Sequence, residues 1–277
     1  MPTVLITGAS TGIGRATALR LATVGWTVLA GVRKAEDGQR LASEAPSGSV
    51  TALTLDVTDT THIEQARVRV ERQAGGLDAL VNNAGISFTG PLEIVSLDDV
   101  RTIFEVNAFA QVAVTKAMLP ALRRKRGRIL FVSSIGGRVT MPFTAPYSGS
   151  KHALESFGDA LRVELRSSGI QVALIEPAAV STPIWDKSHA EYEQLVVPPE
   201  LQAYYGRVPE LMQRVVKSSA RRGAAPEKVA EVIVRALTVR HMKGRYMIGA
   251  DGRAMLLLKR LLTDRGFDRF ARRAMGM

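Results

Sequence analysis

The chain has 277 residues, 46% of them hydrophobic, and its 37 basic and 26 acidic side chains give a formal net charge of +11. Without cysteine it has no disulfides, thiolate nucleophiles or sulfur-ligated metals, and its four widely spaced histidines do not suggest a zinc site, so no metal is expected. No charged leader precedes the first apolar run and no segment approaches the ~20 apolar residues of a membrane span, which predicts a cytoplasmic location.

The basic surplus falls in two separate parts of the chain. One run occupies a single predicted helix-to-strand link, and it consists of Arg123, Arg124, Lys125, Arg126 and Arg128. The other basic residues concentrate after Arg207. This division argues against one continuous nucleic-acid footprint, and charge blocks usually face water. No nucleic-acid partner is expected.

Short apolar runs rich in β-branched residues alternate along the chain with longer helical patterns. Strands are predicted at Thr3–Thr7, Thr27–Val32, Val50–Leu55, Ala79–Asn82, Arg128–Val132, Gln171–Ile175 and Arg245–Ile248. Helices are predicted at about 13–24, 35–45, 60–74, 96–122, 148–168 and 226–240. Apolar strands separated by helices predict a doubly wound α/β (Rossmann) fold, a parallel sheet of about seven strands with helices on both faces, in one domain over 1–277.

A glycine-rich turn follows the first predicted strand and opens the first helix, with the sequence TGASTGIG at 7–14. Gly8, Gly12 and Gly14 let the backbone turn sharply and approach a pyrophosphate, and the helix N-terminus supplies free N–H groups. The position at strand 1 and before a helix is the context that a dinucleotide site requires.

The second predicted strand ends in VLAGVRK, where a dinucleotide fold meets the adenosine ribose. An acidic residue there favours NAD, whereas a basic one pairs with a 2′-phosphate and favours NADP. No acid is present, and Arg33 and Lys34 follow, so NADP(H) is the predicted cofactor.

Further motifs extend the pattern toward the middle of the chain: NNAG at 82–85, Asn107 in FEVNAF, Ser133 and Ser134 after strand 5, and YSGSK at 147–151. With the glycine turn they resemble the single-domain short-chain dehydrogenase/reductases over about residues 3–183. The resemblance implies a cofactor-binding set of Gly8, Ser10, Thr11, Gly12, Ile13, Gly14, Arg33, Lys34, Asp56, Val57, Asn83, Ala84, Gly85, Tyr147, Lys151, Pro177 and Thr182.

Tyr147 and Lys151 lie four residues apart at a helix start and so project from one face. A free phenol has a pKa near 10, and a nearby ammonium together with an oxidised nicotinamide would lower it, which allows general acid–base chemistry. The resemblance adds that Ser134 hydrogen-bonds the substrate oxygen and that Asn107 holds a water relaying protons to Lys151. The predicted catalytic set is Asn107, Ser134, Tyr147 and Lys151.

The loop after strand 6 departs from the family pattern. The usual P-G-x-x-x-T appears as PAAVST at 177–182, with Ala178 in place of glycine and Thr182 where the family's threonine meets the carboxamide. Ala178 reduces the loop's backbone freedom, so the detailed nicotinamide geometry is in question.

Two segments interrupt the strand–helix rhythm. Residues 182–222 include Pro198, Pro199 and Pro209 and four aromatics, Trp185, Tyr192, Tyr204 and Tyr205, and are predicted to form an irregular substrate lid, with helical padding as the alternative. The basic tail, 250–277, places Met255, Leu258, Leu261 and Leu262 at helical spacing. This helix either lies on an anionic membrane surface or packs its leucines on the domain or on a second subunit.

The leading hypothesis is an NADP(H)-dependent oxidoreductase that interconverts an alcohol and a carbonyl on a bulky apolar substrate. GVRK, the stretch 90–120 and the lid look most like the hydroxysteroid and retinol dehydrogenase group of the family. A 3-oxoacyl-thioester reductase is the second enzymatic hypothesis, because Arg207, Arg214, Arg221 and Arg222 would attract a phosphopantetheine carrier. A non-catalytic NADP(H)-sensing protein is a third. Likeness to the family implies a homodimer or homotetramer.

Overall fold

The computed structural model describes residues 1–182 and 195–277. Its seven strands form one parallel sheet in the order β3-β2-β1-β4-β5-β6-β7. The strands are β1 (Thr3–Thr7), β2 (Thr27–Val32), β3 (Val50–Thr54), β4 (Ala79–Asn82), β5 (Arg128–Val132), β6 (Gln171–Pro177) and β7 (Arg245–Ile248). The order reverses between β1 and β4, and ligands of such sheets bind at the carboxyl ends of the strands beside this point.

The described α-helices are α1 (Gly12–Thr23), α2 (Ala35–Glu44), α3 (Thr60–Ala74), α4 (Leu97–Phe104), α5 (Ala110–Lys125), α6 (Ala145–Glu164), α7 (Gln202–Tyr205), α8 (Val208–Arg222), α9 (Pro226–Thr238), α10 (Ala250–Leu261) and α11 (Asp264–Met275). A π-helical turn, Glu105–Phe109, joins α4 to α5, and a 3₁₀ turn, Ile135–Gly137, follows β5. Within the described residues no helix is long and apolar enough to cross a membrane, and no side-chain group is arranged to hold a metal ion.

Both faces of the sheet are covered, which explains the uniformly apolar central strands. On one face Val4 and Ile6 of β1 pack with α1, α2 and α9. On the other face Leu5 and Leu80 pack with α3, α5 and α6. Alternate residues of one strand thus enter opposite cores. The two edge strands, β3 and β7, are less buried than the strands between them.

The predicted architecture is confirmed: five of the seven strands have the predicted bounds, and the ends of β3, β6 and most helices differ by a few residues. Two predicted segments need correction. The interval 182–222 is not wholly irregular, since α7 and α8 lie within it, and Pro209 sits in the first turn of α8, where helices tolerate proline. The tail contains two helices, and Thr263 caps the second by accepting a hydrogen bond from Gly266 N.

Helix α8 and the tail pack on the loop that precedes α6. Val208, Met212 and Val216 of α8 form a small core with Met275, and Met141 and Phe143 of the loop border it. In a second small core Phe267 and Ala271 of α11 pack with Val139, against Met255 and Leu262. The tail therefore packs part of its apolar surface on the fold, as the second sequence interpretation expects, while Leu261 stays 72% exposed.

Candidate active site

The glycine turn after β1 has the conformation that its sequence predicts. Gly8 and Gly12 have φ angles of 64° and 54°, a region that disfavours residues with a Cβ. A Cβ at Gly14 would lie 2.3 Å from Gly8 O and 2.5 Å from Asn83 Nδ2, so α1 begins directly against the turn. Thr11, the residue before α1, gives no side-chain cap. The first-turn N–H groups thus have no capping side chain, and they fit an anionic pyrophosphate.

The end of β4 is bound directly to this turn. Thr7 Oγ1 accepts hydrogen bonds from Asn83 N and Ala84 N, at 2.9 and 3.0 Å. Asn83 Nδ2 in turn donates to the carbonyls of Thr7 and Gly8, both at 3.0 Å. Buried Gln111 donates to Ala84 O at 2.8 Å from α5. The carboxyl ends of β1 and β4 therefore form one rigid edge, and neither Thr7 nor Gln111 was anticipated from sequence.

Cationic side chains follow β2, as the sequence predicts. Arg33 and Lys34 are exposed, and among the described residues neither forms an ion pair. Asp56, after β3, accepts hydrogen bonds from Thr58 N and Oγ1. The bond from Thr58 N, assisted by the charge of Arg33, lowers the pKa of Asp56, so its carboxylate stays ionised. Val57 is buried behind it, with 6% of its surface exposed.

Tyr147, Lys151 and Ser134 meet where β5 ends against α6. Ser134 Oγ accepts a hydrogen bond from Gly136 N at 3.0 Å. A Cβ at Gly136 would lie 3.5 Å from Ser134 Oγ and 3.1 Å from Tyr147 Cε1, so the two side chains are neighbours. Lys151 Nζ lies 5.9 Å from the Tyr147 ring centre and donates to Val132 O at 3.0 Å. The structure therefore brings these three predicted residues together.

The pKa values of this group reflect its burial. Burial raises the pKa of Tyr147, against the lowering effect of neighbouring Ser134, and burial lowers the pKa of Lys151 to about 8. The sequence predicts a lowered phenol pKa, caused by Lys151 and a bound oxidised nicotinamide. In the protein alone the effect of burial prevails, so the phenol is protonated at neutral pH, the form that donates a proton.

Asn107 lies in the π-helical turn and is fully buried. Its Oδ1 accepts from Ile86 N and its Nδ2 donates to Ile86 O, both at 2.9 Å. A Cβ at Gly85 would lie 3.2 Å from Asn107 Oδ1 and 3.6 Å from Lys151 Nζ, which places the three residues side by side. Nδ2 also donates to Ser150 Oγ at 3.1 Å. π-turns often occur at functional sites, and this one was not predicted.

The loop after β6 accommodates Ala178 without strain. Ala178 does not have a positive φ, and its N–H donates to Ile248 O at 2.9 Å. Its Cβ faces two glycines: a Cβ added at Gly249 would lie 2.9 Å from it, and one at Gly252 would lie 3.3 Å away. Gly249 and Gly252 thus leave room for the Ala178 methyl group, which stands where the family has a glycine. Pro177 is buried at the end of β6 and Thr182 is half-buried.

The aromatic lid is only partly as predicted. Trp185 and Tyr192 lie outside the described residues. Tyr204 is 78% exposed, so it does not line a pocket here. The Tyr205 hydroxyl donates to Glu93 Oε2 at 2.8 Å and joins α7 to the loop after β4. Neither Tyr204 nor Tyr205 therefore forms the apolar wall of a substrate pocket.

Comparisons with known proteins place this geometry in a family. A family model for short chain dehydrogenase matches residues 2–193. An NADPH-dependent 3-dehydrocapnine reductase of Ornithobacterium rhinotracheale is 33% identical and covers 96% of this chain and 94% of its own length. Retinol dehydrogenase 5 of Mus musculus is 34% identical, covering 96% of this chain and 86% of its own. A short-chain dehydrogenase structure from Streptomyces avermitilis superposes with a TM-score of 0.78 at 30% identity, covering 92% and 90%.

The fold and site define a nicotinamide dinucleotide-binding oxidoreductase of the Rossmann class. The chain belongs to the short-chain dehydrogenase/reductase family, which confirms the resemblance inferred from its motifs. Members of this family bind a nicotinamide cofactor and a small-molecule substrate.

Proposed function

We propose that the protein is an NADP(H)-dependent oxidoreductase that interconverts an alcohol and a carbonyl on a bulky apolar substrate, with the whole chain 1–277 as one functional domain. The observation that carries the proposal is the placement of Ser134 next to Tyr147, with Lys151 Nζ 5.9 Å from the centre of the Tyr147 ring. Donor, acid and ammonium together form a site that binds a carbonyl oxygen and supplies it with a proton.

The cofactor choice rests on the side chains that follow β2. The first turn of α1, with Ser10, Thr11 and Ile13 around its glycines, would hold the pyrophosphate, and Arg33 and Lys34 would hold a 2′-phosphate. The bound cofactor supplies or accepts the hydride. Asp56 and Val57 would contact the adenine, and Asn83, Ala84, Gly85, Pro177 and Thr182 would border the nicotinamide side. The name of the NADPH-dependent relative agrees with this choice.

Proton transfer is assigned to the chain's own residues. Tyr147 donates its proton to the oxygen of the reduced carbonyl, and Ser134 donates a hydrogen bond to that oxygen. Lys151 stabilises the phenolate that results, and Asn107 fixes the turn beside Lys151 and holds the relay water. The raised pKa of Tyr147 keeps the phenol protonated before the reaction, which supports the reductive direction.

The substrate class rests on apolar side chains near the site and on the names of the relatives. Leu195 lies at the described end of the lid beside Gly90, whose position is also close to Val95. These groups offer an apolar boundary to a substrate. The name of retinol dehydrogenase 5 supports the bulky apolar class.

One observation favours the second candidate, a 3-oxoacyl-thioester reductase. A surface cavity of about 520 Å³ on α8 is lined by Arg214, Lys217, Ser218, Arg221 and Arg222. Its cationic side chains form no ion pair within the described part of the chain. Phosphates of a thioester carrier would fit this charge.

A substrate screen tests both candidates. With NADPH we would compare the reduction of all-trans-retinal, 2-dodecanone, acetone and acetoacetyl-coenzyme A by following cofactor absorbance. Higher kcat/KM for retinal or 2-dodecanone than for acetone supports the first proposal, and preference for the thioester supports the second. No cofactor oxidation with any carbonyl compound would favour a non-catalytic cofactor sensor.

A cofactor titration tests the NADP(H) choice. We expect NADPH to bind about ten- to a hundredfold more tightly than NADH, because a charge-assisted contact contributes about 1.5–3 kcal/mol. Arg33→Asp should remove this preference. Arg40→Asp makes the same charge change on α2, beside Asp37, and should keep it. Equal affinities in the wild type would contradict the proposal.

Assembly and membrane contact are further proposals. A homodimer or homotetramer would cover Phe109 of the π-helical turn and Val163 of α6, which are 53% and 70% exposed. Light scattering after gel filtration measures this state, and a monomer would refute it. Peripheral contact with anionic lipid is proposed for α10, where Leu257 and Leu261 are exposed among cationic residues.

A further inference from the structure

A cluster of ion pairs lies behind the proposed proton-transfer group. Arg245 of β7 donates from Nε to Glu155 Oε2 at 3.0 Å, and this Nε lies 3.0 Å from Glu176 Oε1. Arg138 also donates to Glu176 Oε1, at 2.9 Å. Asp159, one turn after Glu155, accepts from Arg245 Nη2 at 2.5 Å. Residues distant in sequence thus join α6, β6, β7 and the turn after β5.

The two glutamates of this cluster are removed from water. The side chains of Glu155 and Glu176 are 7% and 2% exposed, whereas that of Asp159 is 42% exposed. Arg162 completes the group through its bond to Asp159 at 2.5 Å. Three carboxylates therefore face three guanidinium groups. A buried carboxylate without such partners is strongly unfavourable, so the arginines stabilise the two buried glutamates.

Glu155 is the member of the cluster that adjoins the active site. It follows Lys151 by four residues on the same face of α6. A Cβ at Gly137 would lie 3.0 Å from Glu155 Cγ, 3.0 Å from Lys151 O and 2.8 Å from Ser133 Oγ. The turn that carries Ser134 therefore sits directly on the Lys151–Glu155 segment of α6.

One carboxylate oxygen of Glu155 remains available. Glu155 Oε1 and Ser133 Oγ are both buried without a hydrogen bond of good geometry, although the Ser133 hydroxyl lies close enough to the carboxylate to lower its pKa. Arg245 engages only the other oxygen. The Glu155 charge is thus incompletely neutralised on the side of the serine turn and is able to act on Lys151.

We propose that Glu155 is a positioning residue: its carboxylate, held by Arg245, keeps the Lys151 ammonium charged beside Tyr147 and seats the serine turn on α6. This inference rests on the proposed function for its effect on turnover. Its electrostatic part concerns Lys151 alone and is measured without a substrate.

The charges around Glu155 determine the sign of the effect. Facing it are Lys151 and Asp159 on its own helix, Ser133 and Arg138 from β5 and its turn, Glu176 on β6 and Arg245 on β7. Burial together with Glu176 raises the pKa of Glu155 to about 7, while Ser133 and Arg245 lower it. Burial lowers the pKa of Lys151 to about 8 and Glu155 raises it. As the pH rises, Glu155 therefore ionises before Lys151 loses its proton. Between these two pKa values the negative charge of Glu155 stabilises the Lys151 ammonium.

The test is a pH titration of Lys151 in the full chain, monitored through its ¹³Cε NMR signal. The Lys151→Arg variant, which lacks this signal, assigns it. In Glu155→Gln, which keeps an acceptor for Arg245, we expect the midpoint to fall by roughly one unit, as for loss of a neighbouring opposite charge. Asp159→Asn removes the same charge and also loses a contact to Arg245, but it lies one turn farther from Lys151, so its midpoint should match the wild type. An unchanged midpoint in Glu155→Gln, or an equal fall in Asp159→Asn, overturns the proposal.

Two further readouts keep the test decisive. In the wild type, the Lys151 signal should show a second, smaller inflection near the pH at which Glu155 ionises, which needs no folded variant. With NADPH and 2-dodecanone, the high-pH limb of kcat/KM should move down with the Lys151 midpoint in Glu155→Gln. A moved midpoint with no reduction of any carbonyl would overturn the proposed function and leave the Glu155 assignment standing. A wild-type signal with one inflection would overturn that assignment.

Discussion

The cofactor edge and the substrate side of this molecule are built from different kinds of contact. At the cofactor edge, neighbours in sequence form the glycine turn, and four hydrogen bonds join it to Asn83 and Ala84. On the substrate side, small cores join α8, the tail and the loop before α6, which are separated by tens of residues. Backbone turns and hydrogen bonds therefore define the first region, whereas apolar packing of side chains defines the second.

The proton-transfer group lies where the two regions meet, and its loss should have the largest effect. Tyr147→Phe removes the hydroxyl without emptying the space of the ring. We expect turnover of 2-dodecanone to fall by about 10²–10⁴-fold, the usual contribution of a general acid, with NADPH affinity nearly unchanged. Steady-state kinetics and a fluorescence titration of NADPH measure the two quantities. Wild-type turnover in this variant would refute the proposed mechanism.

How much of each region was predictable from sequence follows the same division. The strands were predicted because buried β-branched runs are local signals, and the candidate catalytic residues because their motifs have fixed spacings. The π-turn at Glu105–Phe109 was missed because its apolar pattern continues that of the flanking helices. Helix α8 was missed because Pro198, Pro199 and Pro209 favoured an irregular segment, although Pro209 occupies a first-turn position.

Long-range charge pairing explains the remaining omissions. Glu155, Glu176 and Arg245 are far apart in sequence. Each of them, taken alone, is a charged residue of a type that usually lies at the protein surface. Only the pairing of β6 with β7, and the packing of α6 over them, brings these side chains together. A sequence pattern without an alignment gives no signal for such a cluster.

The substrate side is tested by a cavity in its small core. Met212 of α8 is 2% exposed and packs near Met141, Phe143 and Met275. Met212→Ala should lower the free energy of unfolding by about 2–5 kcal/mol if the lid unfolds with the sheet. It should also raise KM for 2-dodecanone and leave NADPH affinity unchanged. Met118→Ala, in the core beneath α5, gives a comparable loss of stability without a change in KM. An equal rise in the KM for 2-dodecanone in Met212→Ala and Met118→Ala would show that the substrate side does not depend specifically on the small core around Met212.

The cofactor edge is tested by a single added methyl group. In Gly14→Ala the new Cβ would clash with Gly8 O and Asn83 Nδ2, and neither is the free end of a long side chain. Overpacking of this kind costs about 1–3 kcal/mol. We expect weaker NADPH binding, measured by calorimetry, together with a lower Tm. Normal affinity and Tm would show that the edge tolerates rearrangement.

The tail should give the smallest effect, because part of its apolar surface already packs on the fold. Deletion of the tail would remove buried Phe267 and Ala271 and disturb the loop before α6, so surface variants are the appropriate test. Leu257 and Leu261 are 57% and 72% exposed, and each basic residue near an anionic membrane contributes about 1 kcal/mol. We expect weak cosedimentation with phosphatidylglycerol vesicles that salt weakens and that the double variant Leu257→Glu/Leu261→Glu abolishes. Val163→Glu, an equal change on α6, should bind like the wild type, and equal loss in both variants would refute a specific role for α10.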